Sequence, residues 1–197
     1  MLKYLLPSLA LVCSLTAHAQ KGILIEAESF QSQTKAEQRK WTLVQNDDLN
    51  PSGGAYLKCL PDTRVTHDDK LIVGENFSNQ AGALAVLTYQ VNIDEPGRYY
   101  VWVSAYSQGT EDNGIHVGIN GQWPASGQRM QWCEGKNQWT WESKQRTEKV
   151  HCGEPFLIYL DIEKAGKHTI HFSMREDGFA FDRFLLTKDK DYNPGNI

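Results

Sequence analysis

Basic charge is scarce in this chain. Of 197 residues, 20 are Lys or Arg against 24 Asp or Glu, giving a formal net charge of −4 and a pI of about 5.9. Nucleic-acid binders carry a basic patch or stripe, so this balance argues against that class. Long apolar runs are missing beyond residue 20, which excludes a polytopic membrane protein and leaves no segment for membrane insertion. Helical periodicity is missing too: residues 34–40 offer a turn or two at most, and nothing repeats internally. No Gly-x-Ser-x-Gly elbow, phosphate-cradling loop or His-Glu-x-x-His occurs. His168 and His171 are three apart, so on a strand they point to opposite faces, and His116 and His151 lack ligands at zinc spacing.

What the chain has in quantity is aromatic rings: six Trp, eight Tyr and seven Phe. In a chain that is polar on average, some of these are expected at the surface. The first residues form an address. Lys3 precedes a mainly apolar run from Leu5 to Leu15, and Ala17–Ala19 (Ala-His-Ala) supplies a small-x-small cleavage pattern. Residues 1–19 therefore read as a secretory signal peptide, and 20–197 as one domain, soluble and secreted or periplasmic. In an oxidising compartment Cys133 and Cys152 are the natural disulfide pair, worth roughly 3 kcal/mol in the chain-entropy model. Cys59 shares a strand face with Ala55 and Leu57 and reads as a buried thiol.

Period-two alternation runs through the domain. Leu87, Tyr89, Val91 and Ile93 share one face, and the turn Asp94–Gly97 leads into a strand from Tyr99 to Tyr106. Ile115, Val117 and Ile119 alternate into Asn120-Gly121, a hairpin signal. Phe156–Ile162, Ile170–Met174 and Phe179–Leu186 continue the pattern, and residues 23–28, 41–45 and 55–60 add shorter strands. This predicts an all-β, antiparallel β-sandwich or barrel. Residues 61–82 and 123–154 resist the pattern; long connections of this kind tend to carry function. On the opening strand Glu26 and Glu28 project together, and two close carboxylates repel unless a proton or a cation such as calcium intervenes.

Four motifs then occur in order: the Glu-Ala-Glu of 26–28, Gly-Gly-Ala-Tyr-Leu at 53–57, Pro-Gly-Arg-Tyr-Tyr-Val-Trp-Val at 96–103, and Phe-Asp-Arg-Phe-Leu-Leu at 181–186. Together they resemble the carbohydrate-binding modules of families 6 and 35, in the galactose-binding-like superfamily, over residues 23–187. The resemblance implies a jelly-roll sandwich without catalytic machinery and a structural calcium held by Glu26, Glu28 and Asp182. It also implies a cleft with two aromatics and a polar side chain from the loop before the last strand, and these modules can use a face of the sandwich as well. Tyr106 matches the first aromatic, and one of Trp132, Trp139 or Trp141 the second. The usual loop amide is replaced by Arg175–Gly178 (Arg-Glu-Asp-Gly), where Asp177 is the substitute. Sugars stack C–H faces on rings and bond through hydroxyls, so Asp112 and Asn113 beside Tyr106 complete the expected set. Core packing is the alternative for every Trp: it is assigned to Trp41 and left open for Trp102 and Trp123.

The expected function is a non-catalytic module that binds a polysaccharide or oligosaccharide, alone or beside a separate polysaccharide-degrading enzyme. Two alternatives remain. One is a lyase or glycosidase, drawing on Glu111, Asp112 and Glu134, or on Tyr106 and His116. The other is a structural or adhesion protein using the same surface. Arg98, Arg129 and Arg146 are available to meet uronate or sulfate.

Overall fold

Alternation of apolar and polar residues builds two sheets that close on one core. The computed structural model describes residues 22–195, so the expected signal peptide at 1–19 lies outside the described residues. These hold fourteen strands: β1 (Ile23–Glu26), β2 (Ser32–Thr34), β3 (Lys40–Gln45), β4 (Ala55–Leu60), β5 (Val86–Ile93), β6 (Gly97–Tyr106) and β7 (Gly114–Ile119), followed by β8 (Met130–Gln131), β9 (Trp139–Glu142), β10 (Lys144–Gln145), β11 (Glu154–Pro155), β12 (Tyr159–Ile162), β13 (Gly166–Met174) and β14 (Ala180–Thr187). One sheet runs β12-β6-β14-β4-β3, with β1 on β14 and β9 on β6; the other runs β11-β10-β8-β7-β13-β5-β2. Every strand pairing is antiparallel. The architecture is the expected β-sandwich.

On β5, Leu87, Tyr89, Val91 and Ile93 are buried while Gln90 and Asn92 are exposed, as the period of two requires. Residues 34–40 form no helical turn: β2 ends at Thr34 and bends carry the chain into β3. The strand expected from Phe156 starts at Tyr159 instead, because Phe156 takes a left-handed backbone (φ 65°) that ends the extended run. The segment 123–154, which resisted the pattern, contributes the short strands β8 to β11.

The centre of the core is a ring cluster. Tyr89, Phe172, Phe181 and Phe184 pack with centroids 4.8–6.4 Å apart. Phe181 and Phe184 are three apart on one strand, so strict alternation would send them to opposite faces. A register shift between Phe181 and Arg183 inserts Asp182 as an extra residue and returns both rings to the core. Trp41 is buried, its Nε1 donating to the Ala85 carbonyl at 2.7 Å.

Removing a ring from this cluster leaves a cavity that the flanking strands cannot close. Phe181→Ala should lower unfolding free energy by about 3–5 kcal/mol. The denaturant midpoint, at unchanged slope, is the measurement; a loss below 1 kcal/mol would contradict the assigned core.

Candidate functional site

The outer face of the first sheet gathers the aromatics. On β4 the residues Ala55, Leu57 and Cys59 turn inward, so Tyr56 and Lys58 turn outward. Tyr106 at the end of β6 lies opposite Trp139 of β9, and Ser104 opposite Trp141. Trp139 meets Tyr56 and Tyr106 edge to face at 5.2 and 5.5 Å. Beside them opens a cleft of about 310 Å³, lined by Tyr56, Tyr106, Asp47, Asp48, Lys58 and Gln108 among others. Its wall from the 46–51 loop is anchored twice: Trp139 Nε1 donates to the Leu49 carbonyl at 2.7 Å, and the Tyr56 hydroxyl to Asp47 at 2.7 Å. Burial, with the Asp47 hydrogen bond, pushes the Tyr56 phenol well above its ordinary pKa. Gly178 closes the floor with φ +76°, where a Cβ would lie 2.6 Å from Asp62.

The expected sugar-contacting residues separate. Tyr106 lines the cleft with Trp139 packed against it, and Trp141 lies on the same face, half-buried, with the Arg183 guanidinium 5.3 Å over its ring. Asp112 reaches the cleft edge, but its carboxylate accepts from Ser107 Oγ and the Gln108 and Gly109 amides at 2.7–3.0 Å. It shapes the 107–113 loop. Three placements need correction. Trp132 is fully buried against Phe179 at 5.1 Å, with Nε1 donating to Thr140 C=O, so it is a core residue. Asn113 is buried, its Oδ1 accepting from Gln131 Nε2 and its backbone N–H donating to Glu176. Asp177 is fully buried and accepts from Arg39 Nε, Thr63 N and Thr63 Oγ1 at 2.8–3.0 Å. Its role is to tie the 61–64 segment to the loop before β14. Tyr56, Asp47 and Lys58 were missed; the outward parity of Tyr56 in 55–60 was the available signal.

Glu26, Glu28 and Asp182 form a second locus. Glu28 is not on the strand with Glu26 but in the 3-10 turn Ala27–Ser29. Asp182, at the bulge, accepts from Ser52 N at 2.9 Å and from Ser104 Oγ at 3.0 Å. Ser52 Oγ donates to Glu26 Oε1 at 3.0 Å, leaving Glu26 Oε2 and Glu28 Oε2 buried without partners. Burial raises the Asp182 pKa to about 6, with the Glu26 charge adding to it, and burial also raises Glu28. Among the described residues no three acidic, His or Cys side chains converge as a ready-made metal cage. The orphaned oxygens and mutually repelling charges still suit a hard cation whose remaining ligands are backbone or hydroxyl oxygens.

Disulfide Cys133–Cys152 forms as expected, and Cys59 is a buried free thiol whose pKa burial raises strongly. Arg98 is engaged by Asp161 at 2.8 and 3.0 Å, on the pairing of β6 with β12. No described helix is long and apolar enough to cross a membrane.

This two-sheet architecture is that of carbohydrate-binding modules. A family 35 carbohydrate-binding module of Paenibacillus barcinonensis superposes with TM-score 0.50 and 13% identity, over 85% of this chain and 100% of that one. A family 35 module of Clostridium thermocellum gives 0.50 and 13%, over 85% and 98%. Residues 17–194 match the glycosyl hydrolase family 115 C-terminal domain, and the chain belongs to that family. A Formosa agariphila protein named uncharacterized protein P23 is 54% identical over 185 residues, 87% of this chain. The chain spans 45% of that relative's length.

One buried titratable group connects the loops. His116 is held near pKa 4, chiefly by burial, and is neutral at pH 7. Its Nδ1 accepts from the Arg129 amide at 3.0 Å, so Nε2–H donates to the Ser78 carbonyl at 3.0 Å. Because the unfolded histidine titrates near 6.5, the unfolded chain alone takes up this proton between about pH 6.5 and 4. The stability contribution is complete above pH 6.5 and declines as the pH falls. Between pH 7.5 and 5 the wild type should lose about 2 kcal/mol more than His116→Gln. Urea midpoints at both pH values test this, and parallel profiles would refute it.

Proposed function

We propose that the domain is a secreted, non-catalytic carbohydrate-binding module that seats a polysaccharide or oligosaccharide segment in the cleft at Tyr106 and Tyr56, beside Trp139. The observation that carries this reading is an open cleft lined by the half-buried Tyr106 and the buried Tyr56, with Trp139 packed against both rings and Asp48, Lys58 and Gln108 on its walls. Rings offer faces or edges for sugar C–H groups, and the polar walls offer bonds to hydroxyls. Two of the three carboxylates that an enzyme would use are committed elsewhere: Glu111 is ion-paired with Arg64, and Asp112 is bonded to its own loop, which leaves the exposed Glu134. Tyr106→Ala and Trp139→Ala should each weaken retardation in glycan-containing gels by roughly tenfold or more, with no sugar ends or unsaturated product released. Unchanged retardation in both variants, or turnover that Glu134→Gln abolishes, would overturn the reading.

Calcium belongs to the same proposal. Bound among Glu26, Glu28 and Asp182, it would take up the two glutamate oxygens that are buried without partners and join the first strand to the last. Asp182 protonates near pH 6, and its contribution to stability, complete below about 3.8, is lost as the pH rises through 6. The cation therefore matters most at neutral pH. After chelation, adding calcium at a hundredfold excess over Kd should raise Tm by about 5–10 °C at pH 7.5. The rise should be smaller at pH 5 and absent in Glu28→Ala. A Tm indifferent to chelator at pH 7.5 would remove calcium from the account.

A further inference from the structure

On the other side of the 107–113 loop lies a pocket of about 310 Å³ whose chemistry is opposite to that of the aromatic cleft. Four arginines line it, Arg64, Arg129, Arg146 and Arg175, against two glutamates, Glu111 and Glu176. Glu111 pairs with Arg64 and Glu176 with Arg175. Arg129 and Arg146 have no carboxylate partner among the described residues, so two positive charges stay uncompensated.

The cations are also under-bonded. Nε of Arg64, Arg129 and Arg175 are buried without hydrogen-bond partners, and Arg175 is only 2% exposed. A buried guanidinium nitrogen without an acceptor is costly unless something brings one. Arg129 holds a left-handed backbone (φ 60°), uncommon for a non-glycine residue, fixed by His116 and by the Arg146 amide on its carbonyl at 2.8 Å. The Cys133–Cys152 disulfide anchors the segment that brings in His151. One wall is apolar: Leu71 is exposed, and Phe77 lies under the Arg175 guanidinium at 5.0 Å.

Planar guanidinium forks match carboxylate and sulfate oxygens, and an apolar wall suits the C–H face of the ring that bears the anion. We propose that this pocket seats the sulfate ester or carboxylate of an acidic polysaccharide, as a second site beside the aromatic cleft. This extends the carbohydrate-binding reading, yet its ligand class and residues differ from those of the cleft, so the two fail separately.

Affinity electrophoresis of the full chain tests it, in gels holding dextran sulfate or dextran, and polygalacturonate or its methyl ester. The wild type should be retarded by a charged polymer and less by its neutral counterpart, the effect shrinking with added salt. The sulfate and carboxylate arms identify which anion is preferred. Arg129→Ala/Arg146→Ala should lose roughly tenfold or more of that affinity. Lys40→Ala/Lys167→Ala, with the same change in net charge away from the pocket, should keep it. Should the arginine double variant fail to fold by near-ultraviolet circular dichroism, Arg146→Gln alone carries the comparison. Equal loss in the lysine control, no loss in the arginine variants, or no wild-type preference for a charged polymer would each overturn the proposal. A change confined to neutral-glycan retardation in Trp139→Ala bears on the cleft and leaves this result standing.

Discussion

The extra residue in β14 is the constraint from which much of the molecule follows. Phe181 and Phe184 both belong in the ring cluster with Tyr89 and Phe172, and only a bulge lets residues three apart do so on one strand. The bulged residue is Asp182, bonded to Ser104 of β6 and to the Ser52 amide. Hydrophobic packing thus fixes where a carboxylate is buried. A buried charge is tolerated only with partners; Arg183 Nε pairs with Asp182 at 3.4 Å, while the nearby Glu26 carries the same sign. How the core is filled therefore places this carboxylate close to Glu26. Beyond the bulge, Ala180 pairs with Tyr106, which sets one wall of the aromatic cleft.

The 107–113 loop divides the surface into two chemically distinct sites. Asp112 folds the loop back on itself through Ser107, Gln108 and Gly109. Gln108 and Asp112 then face the aromatic cleft, while Thr110 and Glu111 face the arginine pocket. Lys136 reinforces the hinge, its ammonium donating to Ser107 Oγ at 2.6 Å and to the Trp132 carbonyl at 3.0 Å. Trp132 therefore matters to the site without touching it, as the buried post on which this corner rests.

The long strands were legible where apolar residues alternate with polar or small ones, as on β5, β7 and the inward half of β4, although of these β5 has a solvated face and β7 is buried on both. The short strands β8 to β11 were not, since two to four residues hold too little pattern. The disulfide was legible from compartment and spacing. The site was half legible. Tyr106 and Trp139 come together on one sheet face, whereas Trp132, Asn113 and Asp177 look equally polar-flanked in the sequence and turn inward. Asp177 was misjudged because its partners, Arg39 and Thr63, lie more than a hundred residues away and only the fold brings them together. Glu28 left the strand because the chain turns sharply at Ala27, which is itself buried.

A net charge of −4 opposes affinity for an acidic glycan at long range. Global charge, however, is screened beyond about 8 Å at physiological ionic strength, so the local balance decides. The acidic excess sits elsewhere: Asp47 and Asp48 at the aromatic cleft, Glu26, Glu28 and Asp182 at the cation locus. In the arginine pocket Phe77 and Leu71 exclude water from one side, which strengthens each charge-assisted bond to an incoming anion. The same exclusion makes the unpartnered guanidinium nitrogens unfavourable while the pocket is empty. An anion that supplies their acceptors relieves that penalty as it binds, so a protein acidic overall can discriminate for negative charge at one place.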